Sequence, residues 1–316
     1  MTHATKARTG TLDDIATDSH VFSIIAMDQR NTLRRMFTAV GLDASDDDLR
    51  TAKADVARVL TPAATGLLSD PTYGVPAITH AQALAPNCGL LIAAEPSERR
   101  SFQGEPRTHR DPALDAQWVL DQGGDVLKFF VQLRADRPAP SRGEPDLVAE
   151  GLAVCAEIIR DCRAAGVPVV IENLVYPRPG EDLGGRARED AIIESARALN
   201  DLDIDLLKLE YPGSPEGCRR LAAILDRPWA VLSAGVPFDQ FTDIIRIAAE
   251  DGGASGFIGG RSVWREVVSL VGHQRQEFLT SVALPRLERL IDVAEGSARP
   301  WTEIGRPAQV TSPTAN

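Results

Sequence analysis

Eight times along this chain a short apolar stretch ends at a polar residue or a glycine, and seven of the eight give way to a segment of helical periodicity. The stretches at 21–27, 66–70, 89–94, 125–133, 167–174, 205–210, 229–233 and 255–258 have the length and composition of strands. Helices are predicted between and after them, over 32–40, 46–60, 113–122, 147–165, 187–200, 215–225, 238–251 and 262–271. Strands that return through helices lie parallel, and eight such units predict an α/β fold of the (β/α)8 TIM-barrel type, a parallel eight-stranded barrel. Extra helices are predicted at both ends, a short capped one from Thr11-Leu12-Asp13-Asp14 and an amphipathic one over 277–295. The expected organisation is a flexible N-terminus over 1–10, one barrel over 11–304 and a flexible tail over 305–316. Three stretches read as loops: a Pro/Gly turn at 71–76, an arginine-rich surface loop at 96–112, and a Pro/Gly-rich loop at 176–186. An open doubly wound sheet is the alternative. Its dinucleotide-binding form needs G-x-G-x-x-G, and no two glycines here are separated by a single residue.

In such a barrel the active site lies where the strands end, so polar residues late in apolar strands are the ones to collect. They are Asp28, Asp70, Glu95, Lys128, Glu172, Lys208, Glu210 and Ser233. The stretch Leu206-Leu207-Lys208-Leu209-Glu210 is the most telling, because burying an ammonium costs several kcal/mol unless it is paired or sheds its proton. Of 34 basic residues only Lys6, Lys53, Lys128 and Lys208 are lysines. Where any cation would serve, this chain uses arginine. Lys128, in Val126-Leu127-Lys128-Phe129-Phe130-Val131, is the second lysine inside an apolar run. Arginine stays protonated, whereas a buried lysine near a second cation can act as an amine nucleophile. Two interior lysines suggest Schiff-base chemistry, and Glu172, on the strand between them, offers the carboxyl group that such chemistry needs.

An anion site is expected in the loops after strands seven and eight, as is common in this fold. They read Ser233-Ala234-Gly235-Val236 and Gly259-Gly260-Arg261-Ser262. The glycines let the main chain approach an anion, and Arg261 offers a charged fork. Spacing alone leaves other readings open. Lys208 and Glu172 could form only a buried ion pair, Lys128 could only bind phosphate, and Asp28 could cap the following helix. Glu210, Glu95 and Asp70 read as structural partners or strand-end caps rather than catalytic groups.

Composition narrows the classes. A net charge of −11 argues against a general nucleic-acid partner, and no apolar run approaches the ~18 residues of a membrane span. Cys88, Cys155, Cys162 and Cys218 show no C-x-x-C spacing, and no secretory signal precedes them, so a cytoplasmic location is expected. The five histidines lack metal-ligand spacing and G-x-S-x-G is absent, so no metal, no other cofactor and no serine nucleophile is expected.

These residues also carry a resemblance. Ala26-Met27-Asp28-Gln29-Arg30, Asp70-Pro71-Thr72-Tyr73-Gly74, Val126-Leu127-Lys128-Phe129, Leu207-Lys208-Leu209-Glu210, Leu232-Ser233-Ala234-Gly235-Val236, Gly260-Arg261-Ser262-Val263-Trp264 and Pro300-Trp301-Thr302-Glu303 are similar to segments of the class I tagatose 1,6-bisphosphate aldolase family. That family includes the 6-deoxy-6-sulfofructose 1-phosphate aldolases, and its fold is a (β/α)8 barrel. The resemblance runs in order from Phe22 to Glu303. It implies Lys208 as the Schiff-base lysine and Glu172 as acid/base. It also implies Lys128, Asp28, Gln29 and Arg30 as active-site groups, and Ser233, Gly235, Gly260 and Arg261 as anion binders. The implied reaction is retro-aldol cleavage of an anionic ketose 1-phosphate to dihydroxyacetone phosphate and a three-carbon aldehyde, by a homo-oligomer. The short stretch between Pro212 and Trp229 resembles the sulfofructose phosphate branch, whereas Pro300-Trp301-Thr302-Glu303 resembles the tagatose branch. Competing expectations are a sugar-phosphate-binding regulator on the same barrel and a transaldolase or deoxysugar-phosphate aldolase.

Overall fold

A computed structural model describes residues 8–304. Its strands are β1 (Phe22–Met27), β2 (Gly66–Ser69), β3 (Gly89–Ala93), β4 (Arg100–Phe102), β5 (Glu105–Arg107), β6 (Val126–Val131), β7 (Val169–Asn173), β8 (Leu206–Leu209), β9 (Trp229–Leu232) and β10 (Gly256–Gly259). Eight of them close into a barrel in the order β1-β10-β9-β8-β7-β6-β3-β2, and every pairing in it is parallel. The predicted TIM barrel is therefore the fold.

Side-chain alternation sorts each strand into an inner and an outer face. Ile24, Ala26, Leu68, Leu91, Ala93, Val126, Val170, Leu206, Ala230 and Ile258 form one buried cluster inside the barrel. Leu12, Ile15 and Ala16 belong to that same cluster, so the first short helix, Leu12–Ile15, plugs the barrel at the end where the strands begin. The opposite strand faces, including Met27, Leu67, Leu127, Ile171, Leu207 and Val231, pack against the surrounding helices in the main core. Two residues beyond the inner cluster, in the same inward alternation, come Asp28, Lys128, Glu172 and Lys208. The polar groups thus form the next layer of the barrel interior, towards the strand ends.

The helix Asp46–Leu60 starts in a capping box, with the Ser45 and Asp48 side chains bonding each other's main chain. Leu49, Ala52, Val56, Ala57 and Leu60, at spacings of three and four, turn one face to the core. Lys53 lies on that same buried face.

The structure corrects several local expectations. The arginine-rich 96–112 loop carries a hairpin, β4 antiparallel to β5. Gln103 and Gly104 make its two-residue turn, both with positive φ, in the manner of an Asn-Gly turn. The 71–76 turn runs into a helix, Gly74–His80, because Asp70 caps its start and Pro76 sits in the first turn, where no amide partner is lost. The eighth helix stops at Trp264 and continues as the tighter turn Arg265–Ser269, through the β-branched Val267 and Val268. The final helix is broken into Gly272–Phe278 and Leu284–Ser297 by a π turn at Leu279–Ala283, adjoining Pro285, which has no amide to donate to the preceding turn. Residues 8–10, expected to be loose, are held: Asp14 accepts from the amides of Thr9 (2.8 Å) and Gly10 (2.9 Å), and Arg8 pairs with Asp125 at 2.7 Å. The rest of the expected flexible segments, 1–7 and 305–316, lies outside the described residues.

Candidate active site

Parallel register places Glu172 of β7 directly beside Lys208 of β8. Lys128 of β6 is opposite Val170, two residues earlier on the same face of β7. The side chains meet accordingly. Glu172 Oε1 is 3.1 Å from Lys208 Nζ, and its Oε2 is 2.7 Å from Lys128 Nζ. One carboxylate therefore bridges both interior lysines. Lys128 also contacts Asp28 Oδ2 at 2.9 Å and Glu95 Oε1 at 3.0 Å, with its side chain only 2% exposed. Three carboxylates around one ammonium satisfy all of its donors.

Charge balance sets the protonation states. Burial works against the Lys128 ammonium, but Asp28, Glu172 and Glu95 outweigh it and hold its pKa well above the lysine range. Burial likewise works to raise Asp28 and Glu172, and Lys128 and Lys208 outweigh it, so both carboxyls are held below their usual values. At neutral pH Glu172 is a carboxylate, able to accept a proton from a neighbour.

These groups open onto a cleft of about 320 Å³ whose lining includes Asp28, Gln29, Arg30, Lys128, Glu172 and Arg261. Lys208 lies just beneath it, behind Glu172, and is 4% exposed. Gln29 Nε2 donates to Asp28 Oδ1 at 3.1 Å, and Arg30 donates to the Glu95 carbonyl at 3.0 Å. Burial pulls the Arg261 guanidinium below its ordinary value, and among the described residues no carboxylate forms a salt bridge with it.

The expected anion loops adjoin Arg261 without all reaching the cleft. Gly235, at φ +79°, lies against the guanidinium, where an added Cβ would come within 3.1 Å of Arg261 Cζ. Its amide donates to Ser233 Oγ at 3.4 Å. Ser262 Oγ donates to the Val236 carbonyl at 2.6 Å, and Arg265 donates to the carbonyls of Gly235 and Val236, which ties the two loops together. Gly260 has another reason to be glycine: a Cβ there would sit 1.9 Å from the Ala26 carbonyl of β1. Ser233, Gly235 and Gly260 shape this corner, and Arg261 is the one of the four that lines the cleft.

Two carboxylates read as structural are so placed. Glu210 accepts from the Val175 amide at 2.7 Å and pairs with Arg188. Asp70 caps Thr72, Tyr73 and Gly74 and pairs with Lys53 at 2.7 Å. Glu95 is a correction. It is not merely a strand-end cap, because Oε1 holds Lys128 while Oε2 accepts from the Phe130 amide. The register that sets Ala93 against Lys128 brings Glu95 to it. Arg99 was also missed; it lines the cleft with its guanidinium 4.4 Å from the Phe130 ring centroid, and an aperiodic loop offers no signal for such a placement.

Comparison with known proteins gives the family. Residues 22–266 match the DeoC/LacD family of aldolases. The chain belongs to that family. This DeoC/LacD aldolase is an aldehyde-lyase, as the sequence resemblance implied. It is 27% identical over 320 residues to tagatose 1,6-diphosphate aldolase 2 of Streptococcus pyogenes serotype M1, covering 90% of this chain and 93% of that one. It is 24% identical over 334 residues to tagatose 1,6-diphosphate aldolase 1 of Streptococcus mutans serotype c, covering 95% and 99%. In fold, the aldolase resembles an archaeal fructose 1,6-bisphosphate aldolase, with a TM-score of 0.61 and 16% identity over 90% of this chain and 98% of that one. No helix among the described residues is long and apolar enough to cross a membrane.

Proposed function

We propose that this aldolase works through a Schiff base on Lys208 and cleaves a ketose 1-phosphate to dihydroxyacetone phosphate and a three-carbon aldehyde. The observation that carries this reading is the bridge from Glu172 to both Lys208 and Lys128. Glu172, a carboxylate 3.1 Å from Lys208 Nζ, takes a proton from the paired lysine; the freed amine attacks the ketose carbonyl carbon, and the proton that the nitrogen sheds on bonding moves to the carbonyl oxygen to give the carbinolamine hydroxyl. The protonated Glu172 returns that proton to the carbinolamine hydroxyl, and water leaves as the iminium forms. Glu172, again a carboxylate, then takes the proton of the carbon-4 hydroxyl. The bond between carbons 3 and 4 breaks, its electrons flow into the iminium, and the aldehyde departs from the resulting enamine. Protonation at carbon 3 and hydrolysis release the phosphorylated product. Lys128, locked as an ammonium, keeps Glu172 ionised between proton transfers and offers positive charge beside the substrate oxygens.

The same reading assigns the substrate's ends. Arg261, half-buried with no direct salt bridge among the described residues and flanked by the Gly235 and Gly260 loops, takes the 1-phosphate. Arg30, Arg35 and Arg99, which line the same cleft, suit a second anion, the 6-phosphate of tagatose 1,6-bisphosphate or the sulfonate of 6-deoxy-6-sulfofructose 1-phosphate. Asp28 and Gln29 bind substrate hydroxyls. Four cysteines, all free and buried, suit a reducing cytoplasm.

The test is borohydride trapping with dihydroxyacetone phosphate, with EDTA present throughout, followed by intact mass and peptide mapping. A reduced adduct on Lys208 is expected, and cleavage of the two candidate ketoses then decides the far anion. No adduct on any lysine, despite measured ligand binding, overturns the Schiff-base reading in favour of a binding protein.

A further inference from the structure

Lys53 is the one described lysine that plays no part in the chemistry above, yet its side chain is 0% exposed. It projects from the buried face of the helix Asp46–Leu60, outside the barrel. Its ammonium meets three acceptors: Asp70 Oδ2 at 2.7 Å, the Met27 carbonyl at 2.5 Å and the Gln29 carbonyl at 2.9 Å. Those two carbonyls belong to the residues on either side of Asp28. The register of β1 with β2 ends at Met27 opposite Ser69, so the chain from Asp28 onwards has left the ladder that would hold it. Gripping the carbonyls at 27 and 29 from outside leaves the intervening side chain directed inward, where Asp28 reaches Lys128 at 2.9 Å and Gln29 Nε2 bonds Asp28.

We propose that Lys53 is a positioning residue: by clamping the two carbonyls that bracket Asp28, it aims that carboxylate at Lys128 and at the substrate. The proposal rests on the functional reading above, since the effect is expressed through Asp28 in the cleft. Asp70 anchors the clamp. It accepts from the amides of Thr72, Tyr73 and Gly74 as well as from Lys53, so it keeps partners when Lys53 is removed. The chain is therefore expected to fold without this lysine, while the turn at 27–29 loosens. Displacing a catalytic-site group by as little as ~1 Å can cost on the order of 100-fold in rate.

A double-mutant cycle between Lys53→Met and Asp28→Asn tests this, with kcat and KM for ketose cleavage and thermal melting measured on all four proteins. Lys53→Met is expected to lower kcat about 10- to 100-fold with KM changed far less. In the Asp28→Asn background the same substitution is expected to cost less than about threefold. Lys53→Gln, whose amide can still reach a carbonyl, is expected to recover part of the loss. The same loss factor in both backgrounds overturns the proposal, because it means Lys53 acts without Asp28. Failure of both Lys53→Met and Lys53→Gln to fold also overturns it, since the lysine is then structural. Wild-type protein that cleaves no ketose overturns the functional reading itself, an outcome visible before any variant is compared.

Discussion

Glu172 and Lys208 are register partners on neighbouring parallel strands, and their charged atoms stand 3.1 Å apart at the floor of the cleft. Parallel pairing makes this contact a property of the backbone, not of flexible side chains finding each other. The geometry is fixed before substrate arrives.

Replacing Glu172 by Gln keeps the shape and removes the proposed proton carrier. The expected loss in kcat is about 10²- to 10⁴-fold, the usual range for a positioned acid–base group. Rapid-quench measurement of the Lys208 adduct should show slower formation, because carbinolamine dehydration needs the same group. A Glu172→Gln variant of near wild-type kcat rules out the acid–base role.

Lys128→Met is expected to destabilise the fold by about 3–5 kcal/mol at pH 7, since Asp28, Glu95 and Glu172 are left as buried carboxylates around an apolar group. Urea unfolding measures this. The deficit should shrink in acid as those carboxyls take up protons; a deficit independent of pH contradicts the account.

Asp28 and Glu172 also give the native state an acid limit. Their folded pKa values lie below the unfolded ones of about 4, so their stabilising contribution is full above that pH. As pH falls below it towards the folded pKa values, that contribution is lost. The stability gap between wild type and Asp28→Asn should accordingly narrow between about pH 5 and pH 3. An unchanged gap over that interval means that Asp28 is not depressed.

Arg261→Ala should raise KM for a ketose 1-phosphate roughly 10- to 100-fold, the cost of one charge-assisted contact, with little effect on unphosphorylated dihydroxyacetone. Arg99→Ala should instead act only on substrates with an anion at the far end. Equal losses for phosphorylated and unphosphorylated ligands in the Arg261 variant move the phosphate elsewhere.

Strand periodicity and strand-end polarity made the barrel and its central groups legible. All eight barrel strands fall where the apolar stretches lie, and Lys208, Lys128, Glu172 and Asp28 come together because alternation along a strand is a strict rule. Lys53 was passed over because a helical lysine is normally a solvated one. Its signal was present: 49, 52, 53, 56, 57 and 60 form a single face, and a cation there has to be paired. Glu95 was read as a cap because strand-end carboxylates often are caps, and only the register to Lys128 shows its second bond. Arg99 depends on how a hairpin folds back over the cleft, and the Gln103-Gly104 turn is a weaker sequence signature than Asn-Gly.

Among the described residues, Leu12, Ile15 and Ala16 fill the barrel where its strands begin, at the end away from the cleft lined by Lys128 and Glu172. Under the proposed function both halves of a cleaved sugar use that same arginine-lined cleft. In the Schiff-base reaction proposed above, the covalent tether then decides the queue: the free aldehyde goes first, and the half held by the lysine follows once water has cut it loose. In the synthetic direction of that proposed reaction the order reverses, and the phosphorylated ketone has to be seated before an aldehyde can find its place.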